Sequence, residues 1–234
     1  MNLRGQKLDL ALYVQALPVY ARNLGVLVPP FVAAVIGLLL SYLSGPFTDP
    51  LGGAGASIFG LISQLVFGFS FGVALIFADD AWRHNRANLS NAWAEARRKA
   101  GNILIATLGF YFLIYIAQLI GGIFGAVGSS LFAAVATFFL IYALPAAAIG
   151  GAYSAEVFSI SIRRARGEPL ATAILTIVSL FVYFYIGFML LPLFGSALGY
   201  GAIVLQLLLP SVAIGYVALV VAKQYADLAF GRRW

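Results

Sequence analysis

The sequence predicts an all-α integral membrane protein with six transmembrane helices, arranged as three hairpins that cytoplasmic amphipathic helices connect. Of its 234 residues, 62% are hydrophobic and only 9% are charged, whereas a typical soluble domain has about 25% charged residues. So few polar side chains cannot cover a water-soluble globule, and lipid is therefore the expected solvent. The two further observations behind this prediction are six separate apolar runs and a one-sided distribution of basic residues.

The six apolar runs each approach the ~20 residues that cross a bilayer as a helix. They cover residues 25–43, 57–78, 101–123, 130–150, 169–191 and 201–222. The links after the first, third and fifth runs are short or rich in Gly and Pro, which predicts turns. We therefore expect one polytopic domain, residues 1–234, in which Pro145, Pro192 and Pro210 kink the fourth to sixth helices.

The basic residues all lie outside those three turns. The 14 are Arg4, Lys7, Arg22, Arg83, Arg86, Arg97, Arg98, Lys99, Arg163, Arg164, Arg166, Lys223, Arg232 and Arg233. The only charge in the turns is Asp49. Because cytoplasmic loops are enriched in Lys and Arg, we expect both termini to be cytoplasmic. The net charge of +6 then reflects the orientation of the chain in the membrane. It favours contact with anionic lipid of the inner leaflet and does not indicate nucleic-acid binding.

Helix-like segments with basic residues precede the hairpins at residues 8–23, 88–100 and 155–167. In the second segment, apolar residues recur at helical spacing. They are Leu89, Trp93, Ala96 and Ala100. An apolar face with Trp opposite a basic face is typical of a helix at the membrane interface. The alternative is that these segments extend the spans into the cytoplasm.

Two local signals support a helix in the second segment. Ser90 is the expected N-cap. Glu95 and Lys99 form a favourable i,i+4 pair, and Arg97 and Arg98 lie near the C-terminus, where cations are favoured.

The segments and hairpins together suggest three repeats, residues 8–78, 88–151 and 155–222. Residues 16–25 (ALPVYARNLG) and 92–101 (AWAEARRKAG) align without a gap. The third unit departs from this pattern. Two explanations therefore remain open: a true triplication, or the repetition of features that membrane proteins commonly share. All three units enter from the same side, unlike the inverted repeats of many transporters.

The chain joins a basic helix to the following span in two stretches, residues 89–112 (LSNAWAEARRKAGNILIATLGFYF) and 143–181 (ALPAAAIGGAYSAEVFSISIRRARGEPLATAILTIVSLF). In this layout it resembles the YciC-like family of six-span membrane proteins and the membrane domain fused to some bacterial glycerophosphodiester phosphodiesterases. The family pattern usually has an acidic residue soon after the proline of the fourth span, whereas here the first acid after Pro145 is Glu156. The resemblance implies a protein of the bacterial cell (inner) membrane and supplies no catalytic residues.

Candidates for chemistry are few. The chain has no cysteine, and its only histidine is His84. Asp79, Asp80 and His84 lie within about one or two helical turns, so a weak metal site or an intramembrane enzyme would have to use them. The alternative, a solvated helix end, is the one we expect, because the sequence contains none of the common catalytic or phosphate-binding motifs. We therefore expect no enzymatic activity, no metal and no cofactor.

Uncharged polar residues are the remaining candidates inside the spans, because no ionisable residue lies at mid-span depth. Gln64, Gln118 and Gln206 occur once in each hairpin. They can converge on a polar cavity for a neutral ligand, or they can hold helices together by hydrogen bonds.

Small and aromatic residues supply candidate contacts to lipid or to a partner. Three glycines share one face of the second span, a pattern that lets helices approach closely, and the fifth span is dense in aromatic residues. The candidates are Gly60, Gly68, Gly72, Trp93, Arg97, Arg98, Tyr183 and Tyr185.

Two functional hypotheses follow. The first is a non-enzymatic membrane subunit that packs against, stabilises or organises a larger membrane complex or the surrounding lipid, with another membrane protein or a second copy of the chain as partner. The second is a small carrier or channel for a neutral or lipid-like substrate. Glutamines gathered around one cavity would favour the carrier, whereas dispersed glutamines would favour the subunit.

Overall fold

The computed structural model describes residues 10–48, 54–190 and 201–231. Regular secondary structure in these ranges is entirely helical. The α-helices are α1 (Ala11–Arg22), α2 (Val28–Thr48), α3 (Ala54–His84), α4 (Leu89–Arg98), α5 (Ala100–Gly122), α6 (Gly125–Leu140), α7 (Ala143–Ala148), α8 (Glu156–Gly167), α9 (Pro169–Phe184) and α10 (Gly201–Phe230). A 3₁₀ turn, Leu24–Leu27, joins α1 to α2, and a π-helical segment, Tyr185–Met189, continues α9.

Six helical stretches in the described ranges are long and apolar enough to cross a membrane, as the sequence predicts. They are Leu24–Leu43, Ile58–His84, Ala100–Gly122, Gly125–Ala148, Pro169–Gly187 and Gly201–Phe230. Several predictions concern residues outside the described ranges. These residues are Arg4, Lys7, Asp49, Pro192, Arg232, Arg233 and the turn 193–200.

The long helices form three antiparallel pairs: α2 with α3, α5 with α6, and α9 with α10. We call the end at which these pairs turn the turn end. The opposite end, from which α2, α5 and α9 start, is the basic end. The Lys and Arg residues that the structure describes lie in α1, α4 and α8, in the last turn of α3, about two turns before the end of α10, and in the links beside these helices.

The buried core is concentrated towards the basic end. Val73, Ile103, Tyr142 and Leu219 are each fully buried there. By contrast, apolar side chains near the turn end of α5 are exposed, as in Leu119. The helices therefore pack tightly at the basic end and present apolar surface towards the turn end.

The helix α10 packs against α1, α2, α3 and α9. Side-chain hydrogen bonds join it to its neighbours: the Tyr20 hydroxyl donates to the Val212 carbonyl (3.1 Å), and the Trp82 indole donates to the Leu219 carbonyl (2.9 Å). A third bond runs from the Tyr216 hydroxyl to the Tyr13 carbonyl (2.9 Å). These bonds orient α10 within a largely apolar interface.

Several predicted helix ends differ from those in the structure. The second and sixth spans do not end near residues 78 and 222 but continue to His84 and Phe230. The fourth begins at Gly125 rather than at residue 130, and it breaks between α6 and α7. Hydropathy marks where side chains turn polar, whereas a helix continues as long as its backbone is hydrogen-bonded.

The break between α6 and α7 has a local cause. Pro145 has no N–H, and its ring excludes the carbonyl of the residue four positions earlier. That residue is Ile141, and the regular helix stops at Leu140. The kink predicted from Pro145 is thus a break, whereas Pro210 lies inside a continuous α10.

Candidate functional site

An open cleft of about 410 Å³ lies between the last turns of α3 and the helix α4. Four of its charged or titratable side chains belong to α3 and two to α4. They are Asp79, Asp80, Arg83, His84, Glu95 and Arg98. This is where the structure places the three residues on which any catalytic or metal-binding prediction depended.

The α3 side of the cleft is paired internally. Arg83 bonds the Asp79 carboxylate at 2.6 Å, and the His84 ring Nδ1 lies 2.8 Å from Asp80 Oδ1. The other Asp80 oxygen accepts a 3.3 Å bond from the Asn88 backbone N–H. Within the described ranges, no group of three His, Cys, Asp or Glu residues is placed to hold a metal. Asp80 therefore ties the link after α3 to the end of that helix.

The helix α4 starts differently from the prediction. The N-cap is Asn88 rather than Ser90, because the Asn88 side chain accepts from the backbone N–H groups of Ser90 and Asn91. Asn is as good a cap as Ser, and here it is the residue with extended backbone geometry (φ −108°, ψ 117°).

Two ion pairs lie at the end of α4: the predicted pair of Glu95 with Lys99, and a second pair of Glu95 with Arg98. Lys99 Nζ lies 3.1 Å from Glu95, and Arg98 also pairs with Glu95. Hydrogen bonding by Lys99, reinforced by Arg98, lowers the pKa of the Glu95 carboxyl below its usual value. Lys99 donates in addition to the Ala148 carbonyl at 2.8 Å, which ties the end of α4 to the end of α7. Arg97 is exposed.

Trp93 is half-buried on the inward face of α4. Its ring lies 5.9 Å from that of Phe69 on α3, at 49°. The neighbouring Ala92 and Ala96 are buried on the same face. Trp93 therefore contributes to the packing of α4 onto α3.

The glycine stripe of α3 divides into two parts. A Cβ at Gly72 would lie 2.7 Å from the Ile103 side chain of α5, and one at Gly68 would collide with Thr107. A Cβ at Gly60 would have nothing within 4 Å. Gly68 and Gly72 therefore allow close packing within the chain, whereas Gly60 lies on an open surface.

The three glutamines are all exposed. Gln64 lies on α3, Gln118 on α5 and Gln206 on α10, each in the half nearer the turn end. As exposed side chains, the three glutamines line no enclosed cavity in the part of the chain that the structure describes.

The two tyrosines of the fifth span lie near the turn end of α9. Tyr185 is exposed and stacks on Phe181, with ring centres 5.2 Å apart. Tyr183 is half-buried and meets Phe184 edge to face. Their exposed apolar surface is available to lipid or protein.

A buried polar network at the basic end was not predicted from the sequence. The Gln224 amide donates to the Tyr142 hydroxyl at 2.9 Å, and that hydroxyl lies 3.2 Å from Thr172 Oγ1. Thr172 uses its own hydrogen at the Glu168 carbonyl (2.8 Å). Tyr142 therefore donates to Thr172, and one chain of hydrogen bonds links α10, the start of α7 and the start of α9. Such chains are stronger together than as isolated pairs.

Ser161 of α8 bridges the break between α6 and α7. Its hydroxyl donates to the Phe139 carbonyl at 2.7 Å and accepts from the Tyr142 backbone N–H at 3.1 Å. Both backbone groups lie at the break, and Ser161 is fully buried. The hydroxyl thus satisfies backbone groups that a broken helix would otherwise leave without partners.

Arg164 lies in the last turn of α8 and over α10. Its guanidinium carbon is 4.3 Å from the centre of the Tyr225 ring, and its Nη1 donates to the Tyr225 carbonyl at 3.1 Å. The Tyr225 hydroxyl in turn occupies the space beside Gly150, where an added Cβ would collide with it. Tyr225 is 2% exposed, so its position, and with it that of Arg164, is well defined.

The sequence offers a weak signal for these residues. Tyr142 and Ser161 flank the proline-containing end of the fourth span, where backbone groups need partners. Gln224 and Tyr225 are polar positions directly after the first charge of the last span. Their separation along the chain, 82 residues between Gln224 and Tyr142, hides the network from local patterns.

Comparison with protein-family models, with curated proteins and with solved structures found no match for this chain. The resemblance to the YciC-like family therefore stays a prediction.

Proposed function

We propose that the chain is a non-catalytic subunit of the bacterial cell (inner) membrane, with both termini in the cytoplasm. In this role it packs against and stabilises a larger membrane complex, or organises the lipid around it. The basic end then faces the cytoplasm, in agreement with the enrichment of Lys and Arg on that side of membrane proteins.

The uneven packing of the bundle is the observation that carries the proposal. In the third span, only 17% of the apolar stretch is buried inside the protein. Phe112, Tyr115 and Leu119 on that helix are 63%, 58% and 54% exposed. Apolar surface on a membrane helix is covered by lipid or by another helix, and helix partners are held by close packing.

The polar residues of the basic end support a non-catalytic role because they serve the fold. Asp80 holds the link to α4, Ser161 bridges a helix break, and Tyr142 joins three helices. Each of these side chains therefore has a structural role, which supports the non-catalytic proposal.

The test is extraction of the chain in mild detergent from its own membranes, at native expression level, followed by mass spectrometry of the intact assembly. The proposal expects a larger membrane protein in fixed stoichiometry. Phe112→Ala on the least buried span should reduce retention of this partner. Phe230→Ala is the control, since Phe230 is 45% exposed at the last residue of α10, at the basic end and away from this apolar surface. A chain that is recovered alone or only with copies of itself, carrying only lipid, would contradict the subunit role.

A carrier for neutral or lipid-like substrates is the second candidate, favoured by the π-helical segment Tyr185–Met189. Such segments occur frequently at functional sites. An added Cβ at Gly187, inside this segment, would lie 3.6 Å from the Pro210 Cα, so the π-helical segment packs against the proline of the adjacent helix. Reconstituted vesicles should then swell when exposed to a permeant neutral solute, which vesicles containing a purely structural subunit would not do.

A further inference from the structure

Arg164 is a fixed guanidinium rather than a mobile surface charge. It stacks on the Tyr225 ring and donates to the carbonyl of the same residue. Its own backbone carbonyl accepts from the Glu168 N–H at 2.9 Å, where α8 ends. Both contacts of the guanidinium are with Tyr225, and the hydrogen bond uses one of its several N–H donors.

The charge of Arg164 is not neutralised by the chain. The other half-buried or buried cations at the basic end are paired. These pairs are Arg83 with Asp79, Lys99 with Glu95 and Lys223 with Asp227. Arg164 has no carboxylate within 4.0 Å in the part of the chain that the structure describes. The remaining arginines without such a pair there (Arg22, Arg86, Arg97, Arg163 and Arg166) are exposed, and water can solvate them.

The surroundings of Arg164 favour an anion. Burial lowers the pKa of the Arg164 guanidinium, and the neighbouring Arg163 acts in the same direction. The side chain still carries its positive charge at neutral pH. A partly desolvated charge is costly unless it is paired, and a guanidinium fork matches the two oxygens of a phosphate.

The position of Arg164 along the bundle indicates which phosphate-containing molecule lies near it. Lys223 is the first charged residue of α10, and Tyr225 follows two residues later. Arg164 is therefore level with the point at which the last span turns polar. In a membrane-embedded bundle, lipid headgroups lie at this level.

We propose that Arg164, oriented by Tyr225, binds the phosphate group of an anionic phospholipid at the basic end. This inference rests on the proposed membrane orientation, in which the basic end faces the anionic inner leaflet. It names one headgroup site within the lipid contact that the proposed function includes. Free phosphate has the same chemistry, and the experiment separates the two sources.

The experiment uses the full chain in detergent, titrated with short-chain phosphatidylglycerol, with phosphatidylcholine of equal chain length, and with inorganic phosphate. Intact-mass spectrometry reports bound lipid, and a thermal shift reports stabilisation. Arg164→Gln is the test variant, and Arg166→Gln, which removes the same charge from an exposed position of α8, is the matched control. Circular dichroism and size-exclusion chromatography verify that each variant is folded.

We expect Arg164→Gln to bind phosphatidylglycerol on the order of tenfold more weakly than the wild type, as for loss of a charge-assisted hydrogen bond. Arg166→Gln should bind it as the wild type does, and phosphatidylcholine, whose choline cation offsets the charge of its phosphate, should bind the wild type more weakly than phosphatidylglycerol does. If Arg164→Gln does not fold, Arg164→Lys keeps the charge without the fork. This second variant should still bind more weakly than the wild type.

Equal weakening in both variants would overturn the proposal in favour of a diffuse positive field. Unchanged binding in Arg164→Gln, or in Arg164→Lys where only that variant folds, would show that Arg164 only joins α8 to α10. Binding of inorganic phosphate with displacement of the lipid would overturn the lipid as ligand. The partner test at Phe112 does not involve Arg164, so the two proposals can fail separately.

Discussion

Replacing Tyr142 by Phe removes one buried hydroxyl and leaves the ring in place. Gln224 is only 8% exposed, and its side-chain amide then loses its acceptor. Thr172 keeps its bond to the Glu168 carbonyl. The stranded donor decides the magnitude, because an unsatisfied buried polar group costs about 1–3 kcal/mol. We expect Tyr142→Phe to lower the free energy of unfolding by that amount.

The assay is equilibrium unfolding in mixed micelles, followed by circular dichroism. Tyr115→Phe is the control, since it makes the same chemical change at a side chain that is 58% exposed, and it should stay within about 0.5 kcal/mol of the wild type. The cost of Tyr142→Phe should shrink when Gln224 is also replaced by Leu, because the stranded donor is then gone. Equal stability of the two Tyr→Phe variants would refute the network as a stabilising element.

The remaining predictions use the same unfolding assay. Gly68→Val should cost about 1–3 kcal/mol by overpacking, whereas Gly60→Val, with open space around it, should cost little; equal effects would contradict the packing described for the stripe. Ser161→Ala should cost about 1–3 kcal/mol because the break after α6 loses its bridge, and a neutral result would show that water replaces the hydroxyl. Hydrogen bonding by Lys99 lowers the pKa of the Glu95 carboxyl in the folded protein below 4.5, its value in the unfolded chain. Ionised Glu95 therefore stabilises the fold above pH 4.5, and this contribution is lost as the pH falls through the pKa of the folded state. Glu95→Gln should reduce this acid-side loss, and an unchanged pH profile would exclude the contribution.

The sequence predicted the six apolar helices because apolar length is a property of single segments. It could not predict where each helix ends. The polar turns of α3 continue past the apolar run because Arg83 and His84 pair with carboxylates one turn earlier. In α10, Lys223 and Asp227 form an equivalent pair at 2.7 Å.

The kink residue in the fourth span was predictable, but its consequence was not. Pro145 displaces the carbonyl of Ile141 and so locates the break. The break is stable because Ser161, from another helix, accepts from and donates to the backbone groups that the break leaves without helical partners. Only the tertiary arrangement supplies that partner.

The candidate site was predicted least well. Asp79, Asp80 and His84 do line one cleft, as their spacing suggests. The polar network around Tyr142, in contrast, joins residues from distant segments, and no local periodicity marks them. Polar residues within apolar spans are ambiguous for this reason: Gln64 is exposed, whereas Gln224 is buried and bonded.

The sidedness of the two ends is the claim on which both proposals depend, and the absence of native cysteine makes it directly measurable. Ser90→Cys places a thiol on an exposed position of α4 at the basic end, and Val127→Cys places one in the first turn of α6 at the turn end, where Val127 is 82% exposed. In intact cells with a permeabilised outer envelope, a membrane-impermeant maleimide should label Val127→Cys at once and Ser90→Cys only after the inner membrane is disrupted. Immediate labelling of Ser90→Cys with protection of Val127→Cys would place the basic end outside and contradict both the proposed orientation and the lipid site at Arg164.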